Sequence, residues 1–490
     1  FRLRPIACLS QVLPFIAVFA CAVADARPAH AQLLRRPVAV RHARIVTMDG
    51  AVIEDGTLLI QGDRIAAVGS ELKVPALAAE IDLQGATITP GLIDVYSGLG
   101  STGSAGGGAT RRAEDGFDRF DKHAIGDALR NGVTAVYISP GAGSGVCGMG
   151  AVIRLVPAGG GHGQVLSNEA ALSIDLSAVP QTIARLKVLE SVEKQFRDAL
   201  SYRQSLKDYE EDLAEYEKKL KEQAAQKPDA GAKPDAGAKP DAAPEKSPNP
   251  SEKPAPPKPT AAAEGEKPAE AKVEPKEGEK PASPAAAGEL KKPNRPPRNP
   301  SAEVVLRALD RKMPVRVRAY RSEDILNALE LAEAFSFDLV IEGATEAHLV
   351  AEQVAKAEVS VILGRVDLSG VRSDDVNRRA VREQTALLGK AGVPWTVGSG
   401  GAAGAALVAF NAQLAAMDVP ARTALQLVTA DAARTLHAAD RIGRLRPGLL
   451  ADFVVWSGDP LDPASSVLSV YVGGALVYDA AAEAQKGNDK

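Results

Sequence analysis

The segment Thr89-Pro90-Gly91-Leu92-Ile93-Asp94-Val95-Tyr96-Ser97-Gly98 joins a short apolar strand core to a carboxylate and a phenol. Side chains alternate along a strand, so positions 94, 96 and 98 share one face. In the first strand of a barrel that face opens into the mouth, where chemistry sits. Asp94 offers a carboxylate and Tyr96 a hydroxyl, but one carboxylate is too few to hold a metal. Imidazoles are scarce. The six histidines are His30, His42, His123, His162, His348 and His437, and only His162, in Gly159-Gly160-Gly161-His162-Gly163, reads as part of a mouth loop. Cys147 has no base beside it in Gly145-Val146-Cys147-Gly148 and reads as structural rather than nucleophilic. Ser399, in Gly398-Ser399-Gly400-Gly401, would suit an exposed hydroxyl but also lacks an evident base.

A parallel barrel must position these groups. Residues 121–131 read as a helix and 133–138 as a strand. Further on, strands at 314–320, 338–341, 359–363 and 393–397 alternate with helices at 323–335, which Ser322 is placed to cap, and 346–357. Such alternation implies parallel β/α units. Short β-rich runs fill 38–88 at one end and 452–478 at the other. Hairpins this short need strands from elsewhere, and the two ends can supply each other.

Pro90-Gly91-Leu92-Ile93-Asp94 resembles the signature of the metal-dependent amidohydrolase superfamily, close to its imidazolonepropionase-like branch. The tail, Asp440-Arg441-Ile442-Gly443-Arg444-Leu445-Arg446-Pro447-Gly448 followed by Ala451-Asp452-Phe453-Val454-Val455-Trp456, resembles that family's closing segment. The resemblance implies an α/β fold, a (β/α)8 TIM-type barrel with a small β-sandwich built by both chain ends. It also implies zinc or another divalent metal, and hydrolysis of non-peptide C–N bonds by metal-bound water. Carried over one at a time, the family's ligand and catalytic positions fall on Tyr96, Gly98, Ser173, Arg318 (or Tyr320 two residues on), Gly343 and Gly400. None of these does the family job, so the expectation is a degenerate member with no metal or other cofactor. The candidate pocket is then Asp94, Tyr96, Arg318, Tyr320 and Ser399. An arginine fork there suits an anionic ligand, or it pairs with Asp94 in a barrel without metal. Glu342, off the parity of Gly343, is expected to point away.

The division expected is a signal peptide over 1–31, sandwich over 32–88, barrel over 89–190, a long helix over 191–226, a disordered insert over 227–300, barrel over 301–440 and sandwich over 441–480. The basic, apolar start and the small-x-small site Ala29-His30-Ala31 imply export, to a periplasm-like compartment, without a membrane span afterwards; lipid attachment at Cys21 is the alternative. The insert repeats Lys-Pro-Asp-Ala-Gly-Ala and holds few large apolar side chains, too few to offset ordering entropy. In the helix, Tyr202, Leu206, Tyr209, Leu213, Tyr216 and Leu220 form a 4-3-4-3-4 seam, which lies on the barrel or pairs with a second copy or partner. A net charge of −4 and 4% aromatics, without a basic stripe, exclude a nucleic-acid binder. The function implied is an exported amidohydrolase relative that has lost hydrolysis and serves as a binding or assembly partner, in a homo-oligomer or with a catalytic relative. The alternative is an active metal-dependent hydrolase of cyclic amides or peptides using non-standard ligands.

Overall fold

The computed structural model describes residues 36–100, 108–141, 143–158, 161–178, 182–226, 290–364, 383–400, 407 and 419–488. The expected leader, Cys21 and most of the expected insert (227–289) lie outside these residues. The chain forms two compact units, one of Phe1–Gln204 with Pro297–Lys490 and one of Ser205–Pro296.

The first unit opens with β1 (Val38–Ile45), β2 (Ile53–Gln61), β3 (Arg64–Gly69), β4 (Ala79–Asp82) and β5 (Thr87–Pro90). The barrel follows as β6 (Leu92–Ser97), α1 (Lys122–Arg130), β7 (Val133–Ile138), β8 (Gly145–Ala158) and β9 (Gly161–Asp175). After α2 (Thr182–Gln226) come α3 (Pro300–Leu309), β10 (Val315–Ala319), α4 (Ser322–Phe335), β11 (Leu339–Gly343), α5 (Ala351–Lys356), β12 (Ser360–Leu363), α6 (Gln384–Ala391) and β13 (Trp395–Val397). Helices Ala421–Leu427 and Ala430–Thr435 lead to β14 (Phe453–Trp456), β15 (Val467–Val472) and β16 (Ala475–Asp479).

The chain ends meet as expected, though as one continuous sheet, β16-β15-β14-β5-β1-β2-β3 with β4 beside β1. The joint is β5 against β14, antiparallel with Thr89 opposite Val454, and Trp456 Nε1 donates to Thr89 Oγ1 at 2.9 Å. Because these strands bond edge to edge, the two ends extend one sheet. Its core is Ile45, Leu58, Ile88 and Phe453, with the Phe453 ring stacked 4.5 Å from that of Tyr471. Gly91 then carries the chain into the barrel. A Cβ there would stand 2.0 Å from Thr134 Oγ1, so the close approach of β6 to β7 requires glycine.

The barrel strands follow the order β13-β12-β11-β10-β9-β8-β7-β6. The expected TIM-type barrel is present, with one departure from its parallel pattern. β8 runs antiparallel to both β7 and β9, while the other pairings are parallel. Only residues 159–160 separate β8 from β9, and so short a link can join only antiparallel strands. The long helix begins at Thr182, nine residues before its expected start. The described residues resume at Leu290, and Asn299 caps α3 by accepting from Ala302 N at 3.1 Å. Ser322 does not cap α4. Its amide donates to Glu346 Oε2 at 3.0 Å instead.

Asp324, in the first turn of α4, is buried 3.3 Å from Arg185 Nε of α2. Burial pushes its carboxyl up to about 6, against the pull of Arg185. The folded value lies above the unfolded 3.8, so the native state binds the extra proton and Asp324 lowers stability as the pH rises from about 4 through about 6. Asp324→Asn should flatten the pH dependence of urea unfolding between pH 4.5 and 7. An unaltered slope would remove Asp324 as its source.

Candidate functional site

Residues that the strand pattern puts on one face do converge inside the barrel. Val315, Val317 and Ala319 pack into the main apolar core, which leaves Arg316 and Arg318 on the opposite face of β10. The register sets Arg318 beside Asp175 of β9 and Glu342 of β11, and Arg316 beside Ser173. Arg318 donates from Nε and Nη2 to Glu342 Oε1, at 2.9 and 2.7 Å, and from Nη1 to Asp175 Oδ2 at 3.3 Å. Arg316 donates from Nε to Glu342 Oε2 and from Nη2 to the Val95 carbonyl. Its guanidinium lies 3.8 Å from the centre of the Tyr137 ring, and that of Arg318 lies 5.4 Å from Tyr96. Glu342 therefore sits between two guanidinium groups.

Electrostatics follow from that packing. Burial alone would raise the Glu342 carboxyl, but the combined pull of Arg316 and Arg318 outweighs it and holds Glu342 below its usual range. For Asp175, with Arg318 alone, burial wins and the carboxyl is raised. Arg318 is itself raised, because Glu342, Tyr96 and Asp175 together overcome its burial. The hydroxyls of Tyr96 and Tyr320 meet at 2.6 Å, and burial raises both above the ordinary phenol value, so both stay protonated at neutral pH.

Asp94 is buried, but it does not pair with Arg318. Its Oδ1 accepts from the amides of Tyr96, at 3.1 Å, and Ser399, at 2.9 Å. Ser399 Oγ donates to the Tyr96 carbonyl at 3.1 Å. These bonds tie the end of β6 to the chain just after β13 and close the barrel. Asp94 and Ser399 are thus placed as staples, and Arg318 takes the carboxylates that lie in register with it.

The expected parity of β11 is also reversed. Glu342 faces Arg318, whereas Gly343 has a φ of 92°, and a Cβ there would lie 2.5 Å from the Tyr320 ring. Ser173 is inside and its hydroxyl is 3.1 Å from that of Tyr137. Gly98 is exposed past the end of β6, and Gly400 has a φ of 72°. His162 does not belong to the mouth. It opens β9, at the far end of the strand from Asp175 and about 40 Å along a fully extended chain. Cys147 is buried near Asp175, its Sγ donating to the Gly145 carbonyl at 3.3 Å, and burial pushes the thiol up to about 11. It is a protonated thiol at neutral pH, not a nucleophile.

Arg316 and Asp175 were not among the expected site residues. The signal was present: Val-Arg-Val-Arg-Ala is a strict alternation whose two arginines must share a face, and Asp175 has the parity of Ser173. Among the described residues, the cavity inside this cluster, lined by Cys147, Ser173, Asp175, Arg316, Arg318 and Glu342 among others, measures about 10 Å³. That is room for about one water.

A family model described as "Amidohydrolase family" matches residues 297–478. The chain is 32% identical over 108 residues to an imidazolonepropionase of Paenarthrobacter aurescens, covering 18% of this chain and 26% of that protein. It is 41% identical over 66 residues to an imidazolonepropionase of Paracoccus denitrificans, covering 12% of this chain and 16% of that protein. The matched stretches thus span about a quarter or less of these relatives. In structure, the chain is similar to an amidohydrolase from Thermotoga maritima, with a TM-score of 0.64 and 23% identity over 90% of this chain and 100% of the other. That likeness extends to the fold.

Proposed function

For a chain that belongs to the amidohydrolase superfamily, we propose a role without metal-dependent hydrolysis, as an exported binding or assembly partner. The family generally uses a divalent metal, which supplies activated water and polarises a carbonyl. The residues present do not suit one. The observation that carries this reading is Glu342 held between Arg316 and Arg318. A divalent ion taken up by that carboxylate would meet two fixed cations. At about 4 Å and an effective dielectric near 20, each repels it by about 8 kcal/mol, which cancels the attraction of Glu342 and Asp175 and leaves the cluster without net pull on a metal. No imidazole offsets this at the substituted positions, since Tyr96, Gly98, Ser173, Gly343 and Gly400 supply none. The network is also neutral overall, two guanidiniums against Glu342 and Asp175, which argues against a vacant anion site at Arg318.

Within the ion cluster the cavity of about 10 Å³ among the described residues leaves room for about one water beside Glu342. The apolar start and the Ala29-His30-Ala31 site support export, with a mature chain beginning at Gln32. No described helix is long and apolar enough to cross a membrane.

The test is elemental analysis of the mature protein after equilibration with zinc and manganese, alongside hydrolysis assays on cyclic amides and dipeptides. We expect metal well below one equivalent and no turnover above buffer. Near-stoichiometric metal with turnover would overturn the proposal and support an active hydrolase with non-standard ligands.

A further inference from the structure

Part of the seam of the long helix is half-buried. Within the second unit, Leu206, Tyr209, Leu213 and Tyr216 are half-buried, while every helix residue between Leu206 and Tyr216 that is off the seam is exposed. The same unit holds Leu290–Pro296, which is neither helix nor strand. Leu290, Pro293 and Pro296 are half-buried there, and Lys291, Lys292, Asn294 and Arg295 are exposed. Burial at every third residue is the mark of a polyproline II chain, which has three residues per turn and lays one edge on its support.

The two repeats match in length. Seven residues of α-helix, the step from Tyr209 to Tyr216, rise about 10.5 Å. Three residues of polyproline II, the step from Pro293 to Pro296, rise about 9.3 Å. Prolines at the one step fit between aromatic rings at the other in the general way by which proline-rich chains dock on aromatic grooves. Burial of the seam also stops: Leu220, the next seam position after Tyr216, is 47% exposed. At the base of the helix, in the first unit, Tyr202 lies close enough to Arg298 to raise its guanidinium, after the larger effect of Glu303. That fixes the direction, since the returning chain reaches the foot of the helix just after Pro296.

We infer that the Tyr/Leu seam of α2 is covered in cis by Leu290–Pro296, which runs antiparallel to the helix as a polyproline II segment. The surface that a two-stranded coiled coil would need is then taken by the chain itself. This holds whether or not the barrel hydrolyses anything.

The experiment pairs Tyr209→Cys with Pro293→Cys in a chain whose other cysteines are replaced by alanine, under mild oxidation. We expect a disulfide within one chain, several-fold more abundant than with Glu211→Cys, on the exposed side of the helix, in place of Tyr209→Cys. Disulfides between chains, or a yield equal to the Glu211 control, would overturn the inference. Sedimentation of the full chain checks it without new cysteines. Leu213→Glu should leave the mass in solution unchanged, whereas a dimer dissociating on that substitution would assign the seam to a second copy.

Discussion

Replacing Glu342 with alanine should remove about 3–5 kcal/mol of stability, the usual result of stripping one partner from a buried ion pair. Both guanidiniums would be left without it, and Arg316 is only 4% exposed. Arg318 would keep Asp175 at 3.3 Å, and Arg316 would keep the Val95 carbonyl. Urea unfolding at pH 7 reads the effect as a fall in midpoint with the slope unchanged. A loss below about 1 kcal/mol would mean that water or a shifted side chain replaces Glu342, and the closed network would no longer describe the mouth. The pH dependence adds a sign. The folded Glu342 value is below the unfolded 4.5, so its contribution is present above about 4.5 and is lost as the pH falls through the folded value. Glu342→Gln should show no such acid step. Replacing Arg316, Glu342, Arg318 and Asp175 together by apolar residues should come close to neutral, because the attraction within a buried ion network only about repays its desolvation.

Arg154→Met should have an effect of similar size, about 3–5 kcal/mol, at a place remote from the mouth chemistry. Arg154 of β8 holds Asp452 with two bonds, Nε to Oδ2 at 2.7 Å and Nη2 to Oδ1 at 2.5 Å, and the two side chains are 2% and 4% exposed. Asp452 Oδ1 also accepts from Gly473 N at 2.7 Å, and Arg154 Nη1 donates to Gln164 at 3.0 Å. One pair thus joins the barrel hairpin to the sheet made by the chain ends. A double-mutant cycle with Asp452→Asn should give a coupling of at least about 1 kcal/mol. Strictly additive losses would show that each side chain acts through its other bonds.

The second prediction touches a residue of the closing signature. Asp452 belongs to the closing segment and Asp94 to the opening one, and both turn out to hold parts together: Asp452 through Arg154, Asp94 through Ser399. Each of these two carboxylates thus has a structural partner of its own in the fold. Placing Gly343 inward turns Glu342 outward, whereas in the barrel Glu342 faces Arg318. One residue of register reverses every side chain of a strand, and a single unpaired strand of five residues does not reveal its register.

By itself the sequence determined the β/α alternation, the turn-bounded β-rich runs at both chain ends and the period of the helix seam. These are properties of composition and short-range period, and each can be read within one segment. Only the tertiary structure decided that β8 runs backwards, that Arg318 takes Glu342 and Asp175 rather than Asp94, that Arg316 joins them, and that His162 lies at the wrong end of β9. Each of these depends on which strand lies beside which, and in what register. Residues 175, 316 and 342 become neighbours only when three strands far apart in the chain pair, and no local pattern encodes that pairing.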